Sequence, residues 1–474
     1  MVLRRIILGA IGAGVIAYGG TVAYLTHFDH EGAPRIGTAE KDPVARAAFG
    51  VMAEARCDYC HAKGVNLPFY FSIPVAKQIM QRDLTQGLRH FRIEPVLSAM
   101  QKGEAPPYET LSRIEEVIRQ NRMPPPQYLL MHWHAHLSED QRKIMLDWIA
   151  QTRAKYYATP GVADRFRSEP VQPVPESLDV NADKVALGQK LFFDKNLSGD
   201  NTLNCASCHD LNRGGVDHLV TATGIHGQKG PINVPTVYNS AFNVLQFWDG
   251  RAKDLQDQAA GPVMNPLEMG SHNWEEVAGK LKQDPDYTAA FGKIYPDQEI
   301  GKDTITNAIA EFEKTLITPD SRFDAWLKGD EKALTAQEKH GYDLFRTVGC
   351  SGCHSGPAAG GGALEVMGLE GDYFADRGGK QTDADEGRFN VTKDPLDRHR
   401  FKVPTLRNVE LTGPWFHDGS VKTLHEAVRK MAIYQTPDKS ISEKDVDDIT
   451  AFLKTLTGKY NGKQLGQAEN VSPQ

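Results

Sequence analysis

Three copies of one five-residue motif contain every cysteine of this 474-residue chain. Each copy reads Cys-x-x-Cys-His, at residues 57–61, 205–209 and 350–354. Two thiols one helical turn apart can bond to the two vinyl groups of one porphyrin, and the histidine that follows can supply the proximal nitrogen to iron. The residues predicted to hold these groups are Cys57, Cys60, His61, Cys205, Cys208, His209, Cys350, Cys353 and His354. The pattern therefore predicts three covalently bound haem c groups.

Cysteine use and charge exclude several other classes of protein. No cysteine remains outside the motifs for a disulfide, a zinc site or a catalytic thiol. The formal net charge is −7 and no long basic run occurs, so no nucleic-acid partner is expected. Covalent haem attachment implies an oxidising compartment outside the cytoplasm, such as a bacterial periplasm.

The N-terminus has the composition of a membrane anchor. Arg4 and Arg5 precede an uncharged run at residues 6–26. As a helix, this run is long enough to cross ~30 Å of hydrocarbon, and the arginines should stay in the cytoplasm. A cleaved signal peptide is the alternative, but its apolar region would be shorter and no clear Ala-x-Ala site follows. We predict a single anchor in the bacterial inner membrane, with the haem domains in the periplasm.

The spacing of the motifs predicts a mainly α fold, with three cytochrome-c-like haem domains after an N-terminal transmembrane helix. Residues 168–180 contain three prolines and no helical period, which is typical of a linker. A Gly-x-x-Leu-Phe sequence precedes both the second and the third motif, so the last two domains are predicted to be repeats. The predicted boundaries are 1–30 for the anchor, 31–167 for the first haem domain, 168–180 for the linker, 181–330 for the second haem domain and 331–474 for the third.

Met123 is the candidate distal ligand of the first haem. It precedes three prolines, which end a helix and hold the residue on a stiff loop. This arrangement resembles the distal-ligand loop of small cytochromes c, although a core methionine at a helix end is the alternative. His132, His134 and His136 are rival ligands, but their polar loop predicts solvated side chains. Ligation by histidine and methionine leaves no open iron position, so this domain should receive electrons.

The stretch 230–269 contains the residues that could perform catalysis. It is loop-rich, and Glu268 is its single glutamate. Cleavage of a peroxide bond needs a base to take one proton and an acid to return it to the leaving oxygen. A carboxyl group in an apolar pocket can do both, because burial raises its pKa. Glu268 is therefore the candidate acid/base residue beside a haem with an open distal face.

Residues from about 180 to 460 resemble the bacterial di-haem cytochrome c peroxidases. The matching pieces are Gly-Pro-Ile-Asn-Val-Pro-Thr at 230–236, Gln-Phe-Trp-Asp-Gly-Arg at 246–251, the run at 258–269, Lys-Val-Pro-Thr-Leu-Arg-Asn at 402–408 and Pro-Trp-Phe-His-Asp-Gly at 414–419. The anchor and the extra N-terminal haem resemble the tri-haem membrane-bound branch of this family, which includes quinol peroxidases.

The resemblance implies that the second haem reacts with peroxide. Glu268 would be its acid/base residue, and Gln258 would line the same distal pocket. Trp248 would lie between the second and third haems and help electrons pass, with Phe247 beside it. In many members of the family, a distal histidine blocks this iron. Ile225 stands at the matching position here, and His226 follows one residue later. Two interpretations therefore stay open: His226 ligates the second haem iron, or this iron has an open coordination position.

For the third haem, the resemblance implies a high reduction potential and a distal ligand at Met431, which follows His417 by 14 residues. Met431 also shares a helix face with Leu424 and Val428, which predicts that it points inward. A thioether ligand suits a high-potential iron.

A calcium ion is also implied by the resemblance. Asn233, Thr412 and Pro414 match the residues that hold it, through a side-chain oxygen and backbone carbonyls. Such hard oxygen ligands suit calcium. Many di-haem relatives form dimers, so a homodimer is a further expectation.

Together these features predict a periplasm-facing tri-haem peroxidase that reduces hydrogen peroxide to water. Its electrons would come from the quinol pool or from a small c-type cytochrome. One alternative is an electron-transfer cytochrome without a catalytic iron. Another is a related di-haem enzyme that oxidises protein side chains, but those relatives have tyrosine in place of Met431.

Overall fold

The computed structural model describes residues 2–466, and helices dominate the fold. The prediction of a mainly α protein is confirmed. The chain divides into two compact units, Met1–Tyr157 and Ala158–Gln474. The first unit contains the motif at 57–61, and the second contains the other two motifs.

The first unit begins with the helix Val2–Gly32, which exceeds the uncharged run predicted from the sequence. Side chains 4–20 of this helix are exposed, and it is long and apolar enough to cross a membrane. By length and composition it could serve as an anchor or as a signal sequence. The other helices of this unit are Pro43–Glu54, Asp58–His61, Pro74–His90, Glu94–Lys102, Tyr108–Arg119, Pro126–Leu129 and Glu139–Tyr156.

A short helical turn holds the first motif against the rest of its unit. The preceding helix ends at Glu54, and the separate turn Asp58–His61 carries the second cysteine and the histidine. Gly87 faces this turn so closely that a β-carbon there would lie 2.3 Å from the carbonyl oxygen of Cys60. Only glycine permits this approach, which brings the helix Pro74–His90 against the motif.

The second unit is helical with two small antiparallel sheets. One sheet pairs Leu364–Val366 with Arg400–Lys402, with Leu364 opposite Lys402. The other pairs Lys459–Tyr460 with Lys463–Gln464. The helices are Ala182–Phe192, Cys205–Cys208, Leu255–Met264, Trp274–Leu281, Pro285–Ile294, Lys302–Glu313, Arg322–Leu327, Ala336–Thr347, Tyr373–Arg377, Phe389–Thr392, Leu424–Gln435 and Glu443–Lys454.

Two equivalent helix crossings organise the second unit. Ala182–Phe192 crosses Lys302–Glu313, and Ala336–Thr347 crosses Glu443–Lys454. At each crossing a glycine meets a backbone carbonyl. A β-carbon at Gly188 would lie 1.9 Å from the carbonyl oxygen of Ala308, and one at Gly341 would lie 1.9 Å from that of Asp448. The same contact in both halves supports the predicted repeat.

The prediction that residues 168–180 form a linker is wrong for the central part of this segment. Val171 and Val174 are fully buried, and Val171 forms a parallel bridge with Gly356. The Arg407 guanidinium donates a hydrogen bond to the carbonyl oxygen of Gln172 at 2.8 Å. Prolines allow this extended backbone, while the intervening valines supply apolar surface for the core. The boundary between the units therefore lies at residue 158, before the predicted end of the first haem domain at 167.

The glycine crossing gives a test of this packing. Gly341→Ala should lower the free energy of unfolding by about 2 kcal/mol or more, because the added methyl group overlaps a backbone carbonyl that cannot retreat. Gly279→Ala is the control, since its β-carbon would meet nothing within 4 Å on the helix Trp274–Leu281. That change should raise stability by up to about 1 kcal/mol. Thermal unfolding of the two variants measures the difference, and equal melting temperatures would contradict the close crossing.

Candidate functional site

The histidine of each motif is held by a hydrogen bond from its Nδ1 atom to a backbone carbonyl. His61 Nδ1 lies 3.1 Å from the carbonyl oxygen of Gly87. His209 Nδ1 lies 3.1 Å from that of Gly215, and His354 Nδ1 lies 3.2 Å from that of Ala359. A carbonyl oxygen only accepts, so Nδ1 carries the proton and Nε2 keeps its lone pair. This is the orientation that an iron-ligating histidine requires, and the residues fit a haem at each motif.

In the first two motifs, burial disfavours the charged form of the cysteine thiols. Burial raises the pKa of Cys57 and Cys60 to about 12 and that of Cys208 to about 11. A thiolate buried at these positions would lose its hydration, which is unfavourable.

Met431 and the third motif line one cavity of the second unit. The cavity wall includes Cys350, Cys353, His354 and Met431, and it is completed largely by apolar and aromatic side chains. Met431 lies on the helix Leu424–Gln435 as predicted. The structure thus brings a thioether sulfur into the cavity that the third proximal histidine lines, which is the donor pair of a high-potential haem.

His417 lines the same cavity but is engaged elsewhere. Its Nε2 atom lies 2.7 Å from a carboxylate oxygen of Asp385, and its ring stacks on Phe401 with ring centres 4.4 Å apart. Burial lowers the pKa of His417, while hydrogen bonds from Arg377 and His417 hold the pKa of Asp385 below its usual value. His417 is therefore a wall residue of the cavity, and ligation of the third haem by Met431 stays a prediction.

Trp248 and Phe247 point toward different parts of the second unit. Trp248 lines the cavity of the third motif, and its Nε1 atom donates to the carbonyl oxygen of Asn233 at 2.9 Å. Phe247 has a left-handed backbone with φ of 67°, and the Arg251 guanidinium lies 3.6 Å from its ring centre. The Phe247 ring also contacts Gly261 on the helix Leu255–Met264. The left-handed backbone conformation at Phe247 allows the rings of Phe247 and Trp248 to point in different directions.

Glu268 lies on the turn that follows the helix Leu255–Met264, and Gln258 lies on that helix. The side chain of Asn265 donates a hydrogen bond to Glu268 Oε1 at 2.7 Å. Burial raises the pKa of Glu268, and the Asn265 bond and the charge of Arg251 offset part of this effect. Burial, and then the charges of Asp217 and Glu268, raise the pKa of Cys208 in the second motif.

His226 lies at the surface, away from this carboxyl group. Its side chain is 67% exposed and its Nδ1 atom lies 3.5 Å from a carboxylate oxygen of Asp200. The neighbouring Ile225 is buried, and its amide donates to the carbonyl oxygen of Glu268 at 2.8 Å. The loop is thus bound to the Glu268 turn, but it turns an isoleucine inward rather than the predicted candidate ligand.

The three predicted calcium residues share one cavity wall. Asn233, Thr412 and Pro414 all line the cavity that Trp248 and Met431 line. The side-chain nitrogen of Asn233 donates to the carbonyl oxygen of Leu219 at 2.9 Å, and a calcium site at these three residues stays a prediction.

The two halves of the second unit share backbone details at a constant separation of 169 residues. Asn239 and Asn408 have φ of 60° and 61°, and Phe247 and Phe416 have φ of 67° and 70°. Isolated bridges follow in the same register, Gln246 with Ala252 and Trp415 with Val421. The helices that come next begin at Leu255 and Leu424, which keeps the separation. Pro262 therefore occupies the position of Met431 and offers no side-chain donor to an iron.

A second difference between the halves was not predicted from the sequence. Phe312 and Phe452 contact the crossing glycines of their own halves, and Glu313 and Leu453 follow them. Leu453 lines the cavity of the third motif. Glu313 is only 6% exposed, and burial raises its pKa to about 8. The repeated sequence Phe-x-Lys-Thr-Leu at 312–316 and 452–456 was the available signal.

In the first unit, the prediction of solvated histidines is correct only for His136. His132 is 1% exposed, and the side chain of His134 is also largely covered. His132 bonds to Asp29 of the N-terminal helix, a contact that local polarity could not reveal. Met123 is partly buried on the loop after the helix Tyr108–Arg119, and its ligation of the first haem stays a prediction.

Comparison with protein families divides the chain into three matched regions. A profile described as di-haem cytochrome c peroxidase matches residues 182–332. A haem-binding domain matches residues 17–151, and cytochrome c matches residues 338–457.

Similar proteins cover most of the chain. Cytochrome c peroxidase Ccp of Escherichia coli (strain K12) is 47% identical over 461 residues, which are 97% of this chain and 98% of that protein. Cytochrome c551 peroxidase of Nitrosomonas europaea is 45% identical over 319 residues, which are 67% of this chain and 92% of that protein.

Solved structures resemble the second part of the chain. A MauG-like protein associated with microbial copper homeostasis has a TM-score of 0.53 and 29% identity, and the match covers 61% of this chain and 94% of that one. The diheme peroxidase BthA from Burkholderia thailandensis has a TM-score of 0.52 at 21% identity, over 63% of this chain and 93% of that one, and shows the shared fold alone.

Proposed function

The chain belongs to the di-haem cytochrome c peroxidase family and is a haem peroxidase, and from this premise we propose that it reduces hydrogen peroxide to water in the periplasm. The reaction consumes two electrons and two protons for each peroxide and releases two waters. The observation that supports a catalytic second motif is the difference between the halves: Pro262 stands where Met431 stands in the other half, and the carboxyl group of Glu268, whose pKa burial raises, lies on the turn after the same helix.

We propose that three haem c groups serve two different tasks. His354 and Met431 would hold the third haem as an electron carrier, and His61 and Met123 would do so for the first. His209 would hold the second, whose distal side has proline at the methionine position. When bound, the second haem would supply the iron that binds peroxide. With His226 against Asp200 at the surface, no reductive displacement of a histidine would be needed before turnover.

Glu268 would move the protons of the reaction. Its carboxylate would accept one proton from the bound peroxide, and the resulting acid would return that proton to the oxygen that leaves as water. Partial burial keeps the pKa of this group above its ordinary value, so the acid form persists long enough to donate. The Asn265 side chain fixes one carboxylate oxygen and leaves the other for peroxide. Gln258, on the preceding helix, would complete the polar lining of this pocket.

Electrons would enter at the first unit, from the quinol pool or from a small c-type cytochrome. The helix Val2–Gly32 would anchor this unit in the bacterial inner membrane. Within the second unit, Trp248 lines the third haem cavity and the adjacent Phe247 contacts the helix that carries Gln258. These two aromatic residues are therefore the proposed route toward the second haem. The expected homodimer stays a prediction.

The position of Pro262 provides the first test. Pro262→Met should place a thioether where Met431 has one, close the second iron and abolish cyanide binding. Peroxide turnover should then fall about 100-fold, because the substrate loses its coordination position. Pro262→Leu is the matched control, since leucine has a similar size and no sulfur, and this variant should still bind cyanide. Equal cyanide binding by the two variants would refute the equivalence of Pro262 and Met431.

Replacement of the acid/base residue provides the second test. Glu268→Gln removes the proton acceptor and should lower the turnover number about 100-fold or more. Glu275→Gln makes the same change at an exposed position and should leave turnover unaltered. In the wild type, turnover should fall as the pH drops through the pKa of Glu268, because the carboxylate is the form that accepts a proton. This acid limb should lie above pH 4.5, the ordinary pKa of glutamate. A Glu268→Gln variant that turns over normally would remove this residue from the mechanism.

A calcium ion held by Asn233 Oδ1 and the carbonyl oxygens of Thr412 and Pro414 is also proposed. All three residues line the cavity beside Trp248, so the ion would stiffen the wall between the two haem domains. Removal of calcium with a chelator should lower the melting temperature and the peroxide turnover, and added Ca²⁺ should restore both. Asn233→Leu should no longer respond to the ion, because it lacks the side-chain oxygen. An unchanged response in this variant would place the ion elsewhere.

A further inference from the structure

Three side chains of the first unit converge near the end of the N-terminal helix. Asp29 belongs to this helix, and His132 and His134 belong to the loop that precedes the helix Glu139–Tyr156. Asp29 Oδ2 lies 2.5 Å from His132 Nδ1 and 3.3 Å from His134 Nε2. One donor atom from each of the three residues lies within 4.8 Å of the other two. We name these three residues the Asp29 cluster.

The Asp29 cluster is almost completely covered. Asp29 and His132 are each 1% exposed, and the side chain of His134 is 11% exposed. A buried carboxylate is unfavourable unless a cation or hydrogen-bond donors compensate its charge. The guanidinium of Arg56 lies 3.9 Å from Asp29 Oδ1, but it pairs with the carboxylate of Asp58 at 3.0 Å. Asp29 can therefore take a further cation.

The hydroxyl of Thr26 determines which nitrogen of His134 carries a proton. Thr26 Oγ1 donates its single proton to the carbonyl oxygen of Val22 at 2.9 Å, so it can only accept from His134 Nδ1, which is 3.4 Å away. His134 Nδ1 therefore carries a proton, and in the neutral ring Nε2 keeps its lone pair. That lone pair faces Asp29 Oδ2, and within residues 2–466 the buried Nε2 atom has no hydrogen-bond partner. Two acceptors thus face each other without a proton between them.

A metal ion between these two atoms would remove the conflict. Buried polar atoms are normally paired, so an unpaired nitrogen opposite a carboxylate oxygen needs a group that both atoms can bind. A metal ion accepts a lone pair from each of them. The 3.3 Å between His134 Nε2 and Asp29 Oδ2 is also the spacing of two ligands in a tetrahedral site with metal–ligand bonds of about 2.0–2.1 Å.

Neighbouring side chains hold the atoms of the Asp29 cluster that would not touch an ion. His132 Nε2 lies 2.5 Å from the hydroxyl of Tyr70, which can accept its proton and so leave the lone pair on Nδ1. Asp29 Oδ1 accepts a hydrogen bond from the hydroxyl of Tyr59 at 2.6 Å. Histidine ligands of metals generally donate their other N–H in this way, and ligating carboxylates are themselves hydrogen-bonded. The surroundings therefore leave His132 Nδ1, His134 Nε2 and Asp29 Oδ2 as the three donor atoms.

We propose that the Asp29 cluster binds one zinc ion. Two imidazole nitrogens and one carboxylate oxygen are a donor set that Zn²⁺ takes in proteins, with water as a fourth ligand. The ion replaces the proton that His132 and Asp29 share in their 2.5 Å hydrogen bond, so each zinc bound releases one proton. The His132 ring then moves outward by less than about 1 Å to reach the tetrahedral spacing.

The ion would fasten the N-terminal helix to the first haem domain. Asp29 lies just beyond the uncharged run at 6–26, where the proposed anchor leaves the membrane. Both histidines of the cluster lie on the segment that follows Met123, the predicted distal ligand of the first haem. Tyr128 of this segment stacks on His132 with ring centres 4.1 Å apart. One ion therefore links the anchor to the segment that carries the predicted haem ligand.

A hydrogen-bonded pair without a metal is the competing assignment. In that arrangement Asp29 and His132 share a proton, and His134 is only a packing neighbour. The two assignments differ at His134, because only an ion uses its Nε2 atom. Removal of this nitrogen should therefore abolish zinc binding and leave the hydrogen bond between Asp29 and His132 intact.

The experiment measures zinc in the purified, full-length holoprotein in detergent. Mass spectrometry of the elements should find one zinc per chain, with the chain concentration taken from amino-acid analysis. A zinc-selective chelator should remove the ion and lower the melting temperature, and added Zn²⁺, but not Ca²⁺, should restore both. X-ray absorption at the zinc edge should show nitrogen and oxygen ligands at about 2.0–2.2 Å and no sulfur.

Substitutions locate the ion. His134→Gln removes the unpaired nitrogen and Asp29→Asn removes the carboxylate charge, so each should weaken zinc binding at least about 100-fold. Tyr70→Phe removes only the acceptor of the His132 N–H and should weaken binding by about 10–100-fold. His136→Gln is the matched control, since this exposed histidine lies on the same loop, and it should bind zinc like the wild type.

Zinc content tests the site independently of peroxide turnover. A wild type that contains no zinc and gains no thermal stability from added Zn²⁺ refutes the site, and the peroxidase stands. Zinc that His134→Gln and Asp29→Asn both retain, or that has sulfur ligands, is adventitious and also refutes it. Stoichiometric zinc that both variants lose and His136→Gln keeps supports the site, even in a protein without peroxidase activity. Haem content and circular dichroism establish that each variant is folded, and Tyr70→Phe serves if the other two are not.

Discussion

The hydrogen bond from each motif histidine to a backbone carbonyl is the constraint on which the haem sites depend. His61, His209 and His354 each use Nδ1 in this way, at 3.1–3.2 Å. Such a bond selects the tautomer, fixes the plane of the ring and leaves Nε2 as the only nitrogen that can bind iron. The carbonyl acceptors lie on segments that the glycine contacts position, such as Gly87 against the turn of the first motif. Packing thus sets the orientation of the histidine that would bind iron.

The second unit shows how one structural element serves two chemical purposes. Its halves share helix crossings, turns and left-handed residues, and they differ at a few side chains that face the motifs. Met431 supplies a sulfur where Pro262 supplies nothing, and Glu313 places a carboxyl group where Leu453 lines an apolar cavity. Electron transfer needs a saturated iron and a dry pocket, whereas peroxide reduction needs an open position and groups that hold protons. Under the proposed function, a few substitutions on one scaffold meet both needs.

The first unit contains a costly polar interior close to its apolar helix. Asp29, His132 and Arg56 are almost completely buried, and a buried charge without partners would cost several kcal/mol. Here each charged group has at least two polar neighbours, so the cost is largely offset.

The sequence by itself determined the motifs, the family resemblance and the helical class, because these depend on residue types at short spacing. It placed Met431 on an inward helix face and named Glu268 as the single glutamate of its stretch. It did not reveal that residues 168–180 join a core, since valines between prolines are apolar as well as extended. Only the tertiary structure decided which of His132, His134 and His136 is buried, because their partner Asp29 lies about 100 residues away. The match of Pro262 with Met431 likewise required backbone angles, since the repeat is visible in the conformation of the turns more than in their residues.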